Sequence, residues 1–399
     1  MNKHLYVFNP DHDLALANQD VNYMAPRSAR QMARDLALLP IWYAQPGSFV
    51  LAHSAYNGFY LDEASTRFEG LPVLLTEPEV EVIPGLRPDP WGWDPAITKR
   101  LSTIGIHEDG LPSVDYLKWI RKMSHRSFAI ELLDLLIPHE RFCGESFYYS
   151  DIYELRRFVE SRRTCVLKSP ISGSGKGLYW SKGRFTPHMR SWCEKVIERQ
   201  GGVIIEPVYN KVNDFAMQFY ACEDGSVKFA GYSLFQTGMN GAYEGNRMLS
   251  DESIEQIIAE VIPLHVIHEL RQTLEEELQK RIGGVYTGYL GVDMMLCRFR
   301  EKPLYRIHPC VEVNLRMTMG MTARCLYDRH IRPGANGVFK VSCYSSLSYL
   351  LTDHFKLTNE HPLRVIDGKV ISGYMPLTPV TRHSQNLAYV LIDKPKRIK

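Results

Sequence analysis

Thr164-Cys165-Val166-Leu167-Lys168-Ser169-Pro170-Ile171-Ser172-Gly173-Ser174-Gly175-Lys176-Gly177 decides how this chain is read. An apolar strand ending in a lysine runs straight into a loop of Gly and Ser, which is how a chain covers phosphates. Small residues let backbone N–H groups approach phosphoryl oxygens, while Lys168 and Lys176 supply positive charge. A Walker A loop needs G-x-x-x-x-G-K-[ST]; here Gly175-Lys176 is followed by Gly177, and Pro170 stands where the first glycine belongs. A dinucleotide fingerprint fails as well, because Gly173-x-Gly175-x-Gly177 lacks the third glycine at its offset. The competing reading is a surface loop with incidental lysines, since glycine is common loop punctuation.

The rest of the chain bounds the problem. A length of 399 residues exceeds what one core fills, so about two to four structural units are expected. Hydrophobic content of 45% and charged content of 23% suit a soluble globular protein. A formal charge of +2 leaves no basic stripe, and the basic end Lys394-Pro395-Lys396-Arg397-Ile398-Lys399 reads as a solvated tail, not a nucleic-acid site. The eight cysteines are scattered without a C-x-x-C pair, as in a reducing compartment. No apolar run approaches the ~18 residues of a membrane span, and the expected location is cytoplasmic.

Along the chain, Leu5 to Phe8 reads as a buried first strand, Asn9-Pro10-Asp11-His12-Asp13 as a turn, and Arg27 to Leu38 as a helix. Strand-like pieces at 49–52 and 72–75 add to a small α/β layer. Proline density between Glu77 and Pro95 predicts an irregular packed connection. A helical stretch from about Val114 to Ile137 follows. Val203 to Val208 and Asp214 to Cys222 read as strands, Glu252 to Arg281 as a helix broken at Pro263, and Tyr289 to Arg298 and Tyr305 to Val313 as core strands. Asp367-Gly368 between two apolar runs is a hairpin signal.

Two acidic strands lie downstream of the glycine loop. One carries Asp293; the other, Val311-Glu312-Val313-Asn314-Leu315-Arg316, puts Glu312 and Asn314 on one face by the period-two rule. Oxygen donors so placed are what Mg²⁺ takes alongside nucleotide phosphates. Arg316 would share that face if the strand continued. Taken singly, each acidic residue reads as a strand-end surface charge.

In this order the pieces resemble the ATP-grasp superfamily, from about Met123 to Arg324. The resemblance implies an α/β (α+β) fold: an N-terminal α/β pre-ATP-grasp domain at 1–118, subdomain A with the glycine-rich loop at 119–205, subdomain B with the metal site at 206–345, and a β-rich C-terminal extension at 346–399. Where the family has its first phosphate-binding lysine this chain has Arg126, with Lys122 as the fallback. By resemblance, Lys168 contacts phosphates and Ser172, Gly173, Ser174, Gly175, Lys176 and Gly177 close over them. The hinge Glu206-Pro207-Val208-Tyr209 presents backbone groups to adenine, Asp214 holds the ribose, Asp293, Glu312 and Asn314 hold Mg²⁺ (Mn²⁺ as the alternative), and Arg316 neutralises the transferring group. Lys168 and Arg316 are the catalytic candidates.

The resemblance implies an ATP- and Mg²⁺-dependent ligase that activates a carboxylate as an acyl phosphate for attack by an amine, releasing ADP and phosphate. Its partners would be a small carboxylate and a small amine, with no nucleic acid or membrane; oligomeric state is open, a homo-oligomer included. Two other readings stand beside it: a kinase of the same architecture and a non-catalytic nucleotide-binding module. Asn9 to Asp13, just after the first strand, is a candidate substrate contact, with a metal site at His12 as a weaker variant. Phe235 to Arg247 reads equally as a lid, an acceptor-binding loop or a surface loop, and Met317, Met319 and Met321 as core packing.

Overall fold

A computed structural model describes residues 3–173, 175, 177–238 and 241–395. Three sheets build it. The first is a four-stranded parallel sheet in the order Val73–Leu75, Phe49–Leu51, Lys3–Val7, Leu86–Pro90. The strand Leu86–Pro90 corrects the irregular connection expected between Glu77 and Pro95. Its prolines disguise it in sequence, but it lies at the sheet edge, where missing N–H donors cost little.

The second sheet is antiparallel, ordered Phe147–Tyr149, Val203–Pro207, Cys165–Lys168, Leu178–Ser181. The helices Ile152–Ser161 and Pro187–Gln200 cover it through Leu155, Val159, Met189 and Cys193. Asp151 and Thr186 cap these helices with their side chains. The expected single helix from Val114 to Ile137 is two, Val114–Met123 and Arg126–Leu136. The break falls at Ser124-His125, and His125 caps the second helix by accepting from Ser127 N–H.

The third sheet has nine strands, all paired antiparallel, and runs from Tyr305–Asn314 at one edge to Arg364–Ile366 at the other. The strands Gly337–Cys343, Asn386–Ile392 and Lys369–Pro376 extend it, so the C-terminal segment continues this sheet and adds the helix Leu347–Glu360. The Asp367-Gly368 turn has positive φ at both residues, as its hairpin requires. On the central strand Lys211–Ala221, Phe215, Met217 and Phe219 bury against Leu270, Leu274 and Leu278 of the helix Leu264–Ile282. That burial turns Asp214, Ala216 and Gln218 to the opposite face by alternation. No helix among the described residues is long and apolar enough to cross a membrane.

Candidate active site

Two cavities open on that opposite face and share Phe235, Thr237, Asp293 and Glu312 in their walls. The first, about 250 Å³, lies between the second and third sheets. Lys168, at the end of its strand, is 8% exposed and pairs with Glu206 at 2.6 Å across the sheet. Glu206 also accepts from the Ser146 hydroxyl. Burial pushes the Glu206 carboxyl up, but Lys168, His308 and the Ser146 hydroxyl together outweigh it and hold the carboxyl below the usual carboxylate range. Glu206, Pro207, Val208 and Tyr209 line this cavity with Val166 and Trp180. Sequence reading assigns Glu206 a backbone role; its side chain is in addition the partner of Lys168. Asp214 lines the same wall and accepts from Lys211 and from the Thr237 hydroxyl.

Arg126, the first residue of its helix, is buried beneath the root of the glycine-rich loop. Its guanidinium donates to the Ser172 hydroxyl at 2.8 Å and to Glu312 at 2.8 Å. It lines the first cavity, whereas Lys122 is exposed and lines neither. Ser172 is buried and lines neither cavity, serving instead as a partner of Arg126. Gly173 and Gly175 do line the site. A Cβ on Gly173 would fall 2.0 Å from an Asp13 oxygen, and one on Gly175, at φ +71°, 2.5 Å from the Gly241 carbonyl. The loop is therefore glycine where it meets other chain segments. Ser174 and Lys176 lie outside the described residues, as do Met239 and Asn240 of the 235–247 segment.

The shared wall is a pair of strands, Gly288–Arg298 and Tyr305–Asn314, in which Asp293 stands opposite Glu312 and Gly291 opposite Asn314. Val292, Val313 and Leu315 bury in the core, which turns Asp293, Glu312 and Asn314 to one face. Asn314 donates to Asp293 at 3.1 Å. Burial, and then the Glu312 charge, push the Asp293 carboxyl up to about 7. Two carboxylates so opposed are what a divalent cation relieves. Among the described residues no three His, Cys, Asp or Glu side chains converge on one point. A cation here would rest on two carboxylates, the Asn314 amide oxygen and ligand oxygens, which is the habit of Mg²⁺.

The second cavity, about 200 Å³, lies beyond Asp293 and Glu312. Arg316 reaches it although its strand ends at Asn314. Its guanidinium makes a two-point contact with Asp13, at 3.0 and 2.8 Å, and donates to the Met317 carbonyl. Asp13 comes from the helix His12–Asn18, so the expected turn at 9–13 runs into a helix that carries a site residue. Asn9 is buried and donates to Gly92 and Asp94, far along the chain. His12 packs against Gly92 with Nδ1 3.4 Å from Asp94, away from a metal arrangement. The floor of this cavity is Gln218, Ser233, Asn246 and Thr318, each 8% exposed or less; Asn246 falls in the 235–247 segment singled out in the sequence, whereas Gln218, Ser233 and Thr318 were missed. Met317 and Met321 are core as expected, whereas Met319 faces the cavity.

No protein-family description and no curated protein matches this sequence. Solved structures do match. A biotin carboxylase from Campylobacter jejuni in a β,γ-ATP complex shares 11% identity over 98% of this chain and 87% of its own, with a TM-score of 0.51. An N5-carboxyaminoimidazole synthetase from Staphylococcus aureus with ADP shares 10% over 98% and 94%, TM-score 0.45. A related synthase from Aspergillus clavatus, with ADP and 5-aminoimidazole ribonucleotide, shares 12% over 88% and 94%, TM-score 0.46. The chain has the ATP-grasp fold.

Proposed function

We propose that the chain is an ATP- and Mg²⁺-dependent carboxylate–amine ligase that forms an acyl phosphate and releases ADP and phosphate. The observation that carries this reading is the meeting of two cavities at Asp293 and Glu312. One offers a lysine and an apolar hinge; the other offers an arginine and polar groups. The fold is shared with a biotin carboxylase solved as an ATP complex.

In this reading ATP fills the first cavity, adenine against Pro207, Val208 and Tyr209, ribose near Asp214, and phosphates toward Lys168, Arg126 and the glycine-rich loop. Asp293, Glu312 and Asn314 would hold Mg²⁺, which would supply positive charge to offset that of the phosphates. Asp13 fixes the Arg316 fork, so that its outer N–H groups meet the acid without reorganising. The substrate carboxylate attacks the γ-phosphorus and ADP leaves. An amine then attacks the carbonyl carbon, phosphate leaves with its electron pair, and the proton lost from the amine nitrogen ends on the departing phosphate. No side-chain nucleophile is needed, because positioning and charge neutralisation carry phosphoryl transfer.

A panel of carboxylic acids with ATP, Mg²⁺ and hydroxylamine tests the reading. A hydroxamate formed only with ATP supports it. A stable phosphoester with ADP release indifferent to amines selects the kinase, and nucleotide binding without turnover selects the binding module.

A further inference from the structure

The second cavity is divided. Its charged groups among the described residues are Asp13, Asp293, Glu312 and Arg316, three carboxylates to one guanidinium. Arg316 is already shared with Asp13. The first N–H groups of the helix Met319–His330 open beside it, with Thr318 as cap. The positive features are therefore gathered along Arg316 to Gly320, where one reacting carboxylate fits.

The rest of the floor is polar and neutral. Tyr243 donates to Asn246, and Asn246 donates to the Ser233 hydroxyl at 2.5 Å. Ser233 thus accepts, and its own proton is left for the cavity. The Thr318 hydroxyl donates to Gln218 Oε1 at 2.8 Å, while Gln218 Nε2 has no partner among the described residues. Gln218 is 1% exposed. Both residues line the cavity, so Gln218 Nε2 and the Ser233 hydroxyl are two donors placed to meet an oxygen of a ligand there. Gly320 keeps the approach open: a Cβ there would fall 2.5 Å from Ser233 Oγ and 2.9 Å from Gln218 Nε2. Trp91, Met32 and Met319 supply an apolar wall.

Resting on the ligase reading above, we propose that this cavity takes a non-phosphorylated carboxylic acid whose remaining part is uncharged. That part carries a carbonyl or hydroxyl oxygen for Gln218 and Ser233 and an apolar side for Trp91 and Met319. A phosphate ester in its place would meet two neutral donors, with no free cation among the described residues to balance its charge. Such a site discriminates strongly, because the wrong group leaves buried donors unpaired.

The test uses the full chain with Mg²⁺ and the non-hydrolysable analogue AMP-PNP, and calorimetry on matched pairs: N-acetylserine and N-acetyl-O-phosphoserine, glycerate and phosphoglycerate, with N-acetylglutamine and N-acetylalanine as amide-bearing acids. At least one unphosphorylated acid should bind at least ~10-fold more tightly than any phosphate ester. Gln218→Glu, near in shape but anionic, should weaken that acid at least ~10-fold while AMP-PNP affinity stays within about twofold. Ser233→Ala is the milder companion should Gln218→Glu fail to fold, and should weaken the acid about threefold or more. Tighter binding of phosphate esters, binding of no acid while AMP-PNP binds, or unchanged affinity in the variants overturns the inference and leaves the ligase reading standing. Failure of AMP-PNP to bind overturns that reading, and the inference with it.

Discussion

At the scale of single residues, the proposed function gives Lys168 two jobs, and substitutions separate them. Its ammonium offsets the buried Glu206 carboxylate, so Lys168→Ala leaves that charge unpaired, a loss of about 3 kcal/mol. The double variant Lys168→Ala/Glu206→Gln should recover most of the lost melting temperature. Nucleotide affinity should remain at least ~10-fold below the parent in both, because the phosphate cation is gone in each. Recovery of nucleotide binding along with stability would show Lys168 to be purely structural. In the proposed reaction Asp13 is a positioning residue for Arg316, and Asp13→Asn weakens one arm of the two-point contact between them. Turnover should fall ~10- to 100-fold with AMP-PNP affinity unchanged, and an equal fall in both would contradict the role. That Lys168 ends a strand at a cavity wall was legible because the loop that follows it is a local pattern. Gln218 and Ser233 were not, since a lone polar residue in a strand reads as a solvent face. Only the helix Met319–His330 packed over that face shows that it is covered.

At the scale of elements, the two strands carrying Asp293 and Glu312 hold like charges opposite each other. Asp293→Asn removes a carboxyl that burial already pushes up to about 7. Metal-free melting temperature should therefore stay level or rise, while Mg²⁺ affinity in the presence of AMP-PNP falls at least ~10-fold. A large loss of stability with Mg²⁺ affinity intact would make Asp293 a structural residue. That Glu312 and Asn314 share a face was readable from the E-x-N spacing, because alternation is a property of any strand; the pairing of Asp293 with Glu312 was not, because register between strands is a non-local property. The edge strand Leu86–Pro90 was hidden by Pro88 and Pro90, which argue against a strand everywhere except at an edge. The break at Ser124-His125 was hidden by apolar periodicity that continues across it.

At the scale of the whole molecule, stability should depend on buried histidines. Burial pushes His125, His308 and His330 down to about 4. Each ring stays neutral in the fold while unfolded rings take a proton near 6.5, so the stability they confer is full above pH 6.5 and is lost as pH falls toward 4. His330 sits between Trp42 and Phe68, far from both cavities, so His330→Phe isolates one such contribution. Urea midpoints measured from pH 7 to 4 should fall less steeply in the variant, and identical slopes would contradict that direction of pH dependence. The segments that follow strands of the N-terminal sheet bring Pro10, Asp13 and Trp91 to the wall of the second cavity. The central claim is that a carboxylate oxygen passes through an acyl phosphate at the junction of the two cavities. Turnover of a substrate acid labelled with ¹⁸O in its carboxylate, followed by mass analysis of the released phosphate, tests it most directly. The account predicts one ¹⁸O in each phosphate released with amide product; unlabelled phosphate accompanying amide formation would contradict it.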